Sequence, residues 1–238
     1  MKILLTGGGG RLGTELRALL PGIVAPSSDE MNITDAAQVM DVARREQPEL
    51  IVHAAAYTNV GGAEKDRDTC WNANVIGTRN MAAAANAVDA KLIHISTDYV
   101  FSGDTGGYRE DDTPGPVVNY YALTKLIAEE AARAAHDHLI IRTSFRPREF
   151  AYRVAFSDVF TGQDYVDVLA PQIAQAIVHA REIPHDLLHI VTERKSVFEL
   201  ARRRKADVQE GTRAQAGVTL PGDVSLDTRR WRQLSSKF

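Results

Sequence analysis

Two side chains four residues apart carry the clearest chemical signal in this sequence. Tyr121 and Lys125 lie in Asn119-Tyr120-Tyr121-Ala122-Leu123-Thr124-Lys125, a spacing that puts both on one face of a helix. An ammonium beside a phenol stabilises phenolate and draws a tyrosine down from about 10 toward neutrality, where it exchanges protons usefully. The stretch Ser96-Thr97-Asp98-Tyr99-Val100-Phe101 adds hydroxyls that can hydrogen-bond a carbonyl oxygen as it becomes an alkoxide. Such a set interconverts a carbonyl and an alcohol, provided that another group carries the electrons.

The N-terminus offers a place for that group. Thr6-Gly7-Gly8-Gly9-Gly10-Arg11-Leu12-Gly13 follows an apolar strand and opens a helix at Arg11. Two glycine registers are open: Gly8, Gly10 and Gly13 fit G-x-G-x-x-G, and Gly7, Gly10 and Gly13 fit G-x-x-G-x-x-G. Either brings backbone N–H groups and the positive end of a helix dipole against a dinucleotide pyrophosphate. An acid that would hold a ribose 2′-hydroxyl is expected at the end of the second strand, but that strand ends Ala25-Pro26-Ser27-Ser28, with Asp29 and Glu30 late. With no acid to repel a 2′-phosphate, and Arg11 close by, NADP is favoured over NAD.

The elements that position these groups alternate strand and helix. Ile3 to Leu5, Ile23 to Ala25, Leu50 to His53, Leu92 to Ile95 and Leu139 to Ile141 are short apolar runs suited to parallel strands covered on both faces. Helices are expected at Arg11 to Leu20, about Asp35 to Arg45, about Asn74 to Ala87 and about Val118 to Ala135. The expected fold class is α/β, a Rossmann-type doubly wound parallel sheet with a small, shortened C-terminal substrate lobe. Its dinucleotide-binding domain spans 1–145, and the lobe, packed on the same unit, spans 146–238. In that lobe Leu169, Ile173 and Ile177 mark a helix, Leu187 to Val191 a strand, and Ser196 with Glu199 a capping box that opens another helix. Arg202-Arg203-Arg204-Lys205 falls at a helix end, where solvated cations complement the dipole. Gln209 to Gly217 has no strong pattern and is expected to be a loop.

The 238 residues carry a formal net charge of -3, which gives no basic excess for nucleic acid. A single cysteine, Cys70, forms no internal disulfide and suits a reducing compartment, so the cytoplasm is expected. The chain runs directly into its first strand without room for a leader, and no apolar run is long enough to span a bilayer. His53, His94 and His189 lie in or beside strands as core histidines, and no spacing suggests a metal site.

The sequence resembles the extended short-chain dehydrogenase/reductases, in particular the dTDP-4-dehydrorhamnose reductase-like, sugar-nucleotide reductase family. The resemblance rests on Gly7-x-x-Gly10-x-x-Gly13, His53-Ala54-Ala55-Ala56-Tyr57-Thr58, Ala63-Glu64, Asn74, Ser96-Thr97-Asp98-Tyr99-Val100-Phe101, Asn119-x-Tyr121-x-x-x-Lys125 and Arg142-Thr143-Ser144. It covers the first 145 residues well and is patchy beyond them. It implies Thr97, Tyr121 and Lys125 as catalytic triad. It also implies a cofactor set of Gly7, Gly10, Arg11, Leu12, Gly13, Ala54, Ala55, Ala56, Tyr57, Asn74, Tyr121 and Lys125. The implied activity is NAD(P)H-dependent reduction of a keto-sugar nucleotide at C4, in a chain that could pair as a homodimer.

Departures from the family pattern concentrate on the substrate side. Val60-Gly61-Gly62-Ala63-Glu64 replaces Val-Asp-Lys-Ala-Glu, Phe145-Arg146-Pro147 replaces Trp-Val-Tyr, and the chain is some fifty or sixty residues shorter than the relatives. Arg146, Arg148 and Arg153 either clamp a diphosphate in place of lost contacts or are solvated loop arginines. The main alternative function is a nucleotide-binding regulatory or scaffold protein of the same fold without reductase activity. An epimerase or dehydratase is a third, although Asp98-Tyr99 does not supply a dehydratase's usual Asp-Glu.

Overall fold

Unalternated apolar runs make buried parallel strands, and the connections between them, too long for hairpins, become helices on the two sheet faces. In a computed structural model that describes residues 1–238, the first part runs β1 (Ile3–Thr6), α1 (Arg11–Leu19), α2 (Ala36–Glu46), β2 (Leu50–His53), α3 (Val60–Ala63), α4 (Arg67–Trp71), α5 (Gly77–Ala87), β3 (Lys91–Thr97), α6 (Tyr120–Ala132) and β4 (His138–Thr143). The rest runs β5 (Phe145–Arg146), β6 (Val154–Phe156), β7 (Phe160–Thr161), β8 (Asp164–Tyr165), α7 (Val166–Val178), β9 (Leu187–His189), β10 (Lys195–Ser196), α8 (Val197–Arg202), β11 (Gln209–Gly211) and α9 (Arg229–Ser235).

The main sheet has the order β1-β2-β3-β4-β9 and is parallel throughout. Successive side chains point to opposite faces. Ile3 and Leu5 therefore join Leu12, Leu16, Ile173 and Trp231 in the larger core, under α1, α7 and α9. Leu4 joins Val39, Met81 and Ala132 in the second, under α2, α5 and α6. This is the doubly wound arrangement.

Three expectations need correction. The strand at Ile23 to Ala25 is a single bridge from Val24 to Leu4, because Gly22 and Pro26 leave three residues for it and proline cannot extend the ladder. Residues 146–238 do not form a lobe of their own throughout: β9 is the fifth strand of the main sheet, and α7 packs on α1. Apart from α9, which packs in the larger core, the remainder is a cap of three two-stranded pairs and α8, with Phe150, Val159, Tyr165, Val197 and Leu200 as its core. Finally, Gln209 to Gly217 is no plain loop, since β11 pairs with β6 and a 3₁₀ turn follows at Arg213–Gln215. Main-chain pairing needs no side-chain pattern, so the sequence carries no mark of it.

The basic run also differs from a solvated helix end. Arg204 forms a two-pronged pair with Asp167 at 2.9 Å on each side, Arg203 reaches Asp164 and Glu193, and Lys205 donates to the Tyr152 carbonyl. The cations fasten the end of α8 to α7 and to the rest of the cap. The capping box of Ser196 and Glu199 is present, with main-chain bonds of 2.7 and 3.1 Å.

Candidate active site

The glycine turn is shaped by close approach. Gly7 has φ +72°, and a Cβ there would stand 2.7 Å from the Ala55 nitrogen; a Cβ on Gly13 would stand 2.1 Å from the Gly7 oxygen. Gly10 donates to that same oxygen at 2.9 Å and precedes α1 as its cap. Gly7, Gly10 and Gly13 all line the cleft and Gly8 does not, which selects the wider register. The cradle fits a dinucleotide pyrophosphate: only glycines bring the β1 turn this near to Ala54-Ala55 while aiming the start of α1 at the cleft.

The cleft is a cavity of about 1090 Å³ along the carboxyl edge of the sheet, where open α/β sheets bind ligands. Arg11, Leu12, Ala54, Ala55 and Ala56 line it on one side, and Thr97, Tyr121 and Lys125 line it farther along the sheet edge. Tyr57 and Asn74 do not line it. Asn74 is buried, accepts from the Tyr57 N–H at 2.8 Å and donates to the Tyr57 carbonyl at 3.2 Å and to Thr124 Oγ1 at 2.9 Å. Its amide is saturated by the chain itself, so it positions the loop after β2 and the start of α6.

α6 begins where Asn119 caps it, its side chain accepting from the Ala122 N–H at 2.9 Å. The helix itself starts at Tyr120, two residues inside the start expected at about Val118. One helical turn then separates Tyr121 from Lys125, and both are buried. Burial raises the Tyr121 phenol well above its usual 10, against the pull of the Thr97 hydroxyl. The expected lowering by Lys125 is not what sets this group. The Lys125 ammonium instead donates to the Ile95 carbonyl at 2.8 Å and lies 3.4 Å from His94 Nε2, and burial brings it down to about 8 although Glu129 pulls it up. Thr97 Oγ1 accepts from the Tyr99 N–H at 3.2 Å and donates to Asp98 at 3.1 Å. Asp98 is buried, also accepts from Thr161 Oγ1 at 3.1 Å, and is pushed up to about 6 by burial.

Two of the strand histidines are satisfied core residues. His53 bonds Thr6 at 2.8 Å and Thr78 at 3.1 Å, and His189 bonds the Asp227 carbonyl at 3.2 Å, whereas His94 Nδ1 is buried without a partner. No group of three or more His, Cys, Asp or Glu side chains converges as a metal cluster would.

A supporting pair absent from the sequence reading lies beneath the site. Glu129, one turn below Lys125, binds the Arg142 guanidinium with two hydrogen bonds of 2.9 and 2.8 Å and accepts from Ser96 Oγ at 2.6 Å, all fully or nearly fully buried. It locks α6 to β3 and β4. The signal was an acid on the inner face of α6 facing an arginine in an apolar strand.

A glycine-cradled cleft that ends in a buried Thr, Tyr and Lys, at the carboxyl edge of a doubly wound parallel sheet, defines the class of α/β protein to which this fold belongs. The RmlD substrate binding domain family matches residues 1–152, and the chain belongs to that family, among the dTDP-4-dehydrorhamnose reductase-like proteins. It is 37% identical over 203 residues to dTDP-4-dehydrorhamnose reductase of Mycolicibacterium smegmatis, covering 80% of this chain and 60% of the relative. It is 39% identical over 150 residues to the spore coat polysaccharide biosynthesis protein SpsK of Bacillus subtilis, covering 60% of this chain and 53% of the relative. The chain thus spans little more than half the length of these relatives. The crystal structure of dTDP-4-dehydrorhamnose reductase from Bacillus anthracis in complex with NADP superposes with a TM-score of 0.88 at 30% identity, over 98% of this chain and 93% of that one.

Proposed function

We propose that the chain is an NADPH-dependent reductase of a keto-sugar nucleotide, acting at a C4 carbonyl. The observation that carries this is the convergence of Thr97, Tyr121 and Lys125 on the cleft whose wall includes the Gly7–Gly13 cradle. A bound nicotinamide supplies hydride to the carbonyl carbon. Tyr121 donates the accompanying proton to the carbonyl oxygen, and burial keeps its phenol protonated for that step. Thr97 hydrogen-bonds the same oxygen as charge develops there by turning its one hydroxyl proton from Asp98 toward it. Lys125, still an ammonium at neutral pH, stabilises the phenolate left behind and holds the nicotinamide ribose.

The cofactor residues in this proposal are Gly7, Gly10, Arg11, Leu12, Gly13, Ala54, Ala55, Ala56 and Lys125, with Asn74 and Tyr57 as supports. NADP is favoured over NAD because the Ala25–Ser28 segment has no acid and Glu30 is folded back onto Ser27, accepting from its N–H at 2.8 Å. The cofactor part comprises 1–145 with α7, β9 and α9, and the substrate part is the cap formed by the other residues of 146–238. The compartment that fits such an activity is the cytoplasm; no helix is long and apolar enough to cross a membrane.

The test is to titrate the protein with NADPH and NADH, then follow nicotinamide absorbance with a panel of keto-sugar nucleotides. Tighter NADPH binding and substrate-dependent loss of absorbance are expected. Cofactor binding with no consumption across the panel would favour the regulatory or scaffold alternative.

A further inference from the structure

The cap side of the cleft carries a charge that the proton chemistry does not use. Arg146 lines the cleft from β5, its guanidinium carbon 5.2 Å from the Phe150 ring centroid and 5.9 Å from that of Tyr152. These aromatic faces hold the side chain without neutralising it. Its Nε is buried with no hydrogen-bond partner, Tyr99, Tyr152, Tyr165 and Arg11 are the groups that act on its charge most, and Glu149, the carboxylate that lines the cleft, forms no ion pair with it. The other arginines of the segment are differently placed. Arg148 lies in a two-pronged pair with Glu15 at 2.8 and 2.7 Å, and Arg153 is exposed.

Arg146 is half-buried, a guanidinium keeps its charge there, and a charge drawn partly out of water without a counter-ion is costly unless an anion completes it. One more buried polar atom without a partner, Thr143 Oγ1, belongs to a residue lining the same cleft and can donate to an anion, whereas the unpartnered Gln163 Oε1 there only accepts. Arg11, at the start of α1, brings a second cation to it from the opposite domain. A planar fork of donors matches phosphate oxygens two at a time, and two cations facing one long cleft suit an anion with several such oxygens.

We propose that Arg146 is a diphosphate anchor, held in place by Phe150 and Tyr152, that grips a nucleotide ligand from the cap side. The anchor rests on the reductase reading only for which nucleotide brings the diphosphate: the sugar-nucleotide substrate or the dinucleotide cofactor. Phe145-Arg146-Pro147, where the sequence breaks from the Trp-Val-Tyr pattern, is thereby a specificity-determining change.

The test is calorimetric titration of the wild type, Arg146→Met and Arg146→Lys with dTDP, thymidine and NADPH. Arg146→Met keeps the bulk and loses the charge; Arg146→Lys keeps the charge and loses the fork. Loss of a charged hydrogen-bonding pair predicts about ten- to a hundredfold weaker binding of the diphosphate ligand by Arg146→Met, with a smaller loss for Arg146→Lys. Weaker dTDP binding alone identifies the substrate's diphosphate, and weaker NADPH binding alone the cofactor's. Should Arg146→Met fail to fold by circular dichroism, the Arg146→Lys titration decides. Unchanged affinity for both dTDP and NADPH overturns the anchor and leaves the reductase reading standing. A wild type that binds dTDP through Arg146 but never NADPH upholds the anchor and removes that reading.

Discussion

Lys125 donates to the Ile95 carbonyl at 2.8 Å, so the strand that presents Thr97 also fixes the ammonium one turn below Tyr121. That position keeps the lysine dry and sets its titration near 8. In the unfolded chain the group titrates at about 10.4, so between about 8 and 10 the unfolded state binds more protons and stability rises with pH. Urea unfolding from neutral pH to about 10 should show this rise, on the order of 3 kcal/mol at most, and Lys125→Met should lack it. NADPH affinity should fall over the same window, because the ammonium is lost. Asp98 gives the opposite slope lower down. Its native value near 6 lies above the unfolded one, so its contribution is full at low pH and lost as pH rises through 6.

The glycines of the turn are not equivalent. A Cβ on Gly13 would stand 2.1 Å from the Gly7 oxygen, whereas one on Gly9 meets nothing within 4 Å. Gly13→Ala should lose NADPH binding and cost at least about 2 kcal/mol, and Gly9→Ala should stay within about 0.5 kcal/mol of wild type. Thermal melts with and without NADPH check both.

Glu129 and Arg142 are each almost wholly removed from water, and neither has another opposite charge of comparable geometry. Glu129→Gln leaves a buried guanidinium uncompensated and should cost about 3–5 kcal/mol. The double variant Glu129→Leu, Arg142→Met should cost less than the single one. Denaturant midpoints for the three proteins test this, and a double variant destabilised as much as Glu129→Gln or more would show that the pair does not act as a unit.

Most of the scaffold was legible because its signals are local. The strand runs, the glycine turn and the Tyr121/Lys125 spacing are each contained in a few residues, and the structure places them on one cleft. Three classes of feature were not legible. The Val24 strand shrinks to one bridge through competition between an apolar run and the flanking Gly22 and Pro26. Asn74 reads like a site residue in sequence, yet it serves Tyr57 and Thr124, a role fixed by which backbone groups lie opposite it. Arg146 and Arg148 look alike in a basic stretch, and only the location of Glu15 on α1 separates the paired arginine from the one that lines the cleft.

The most direct measurement of the central claim compares Tyr121→Phe with the wild type in two readouts, NADPH affinity and substrate-dependent NADPH oxidation. Removing a positioned proton donor should lower turnover by about 10²- to 10⁴-fold while leaving the dissociation constant for NADPH nearly unchanged. Turnover at the wild-type rate in that variant would contradict the role assigned to the phenol.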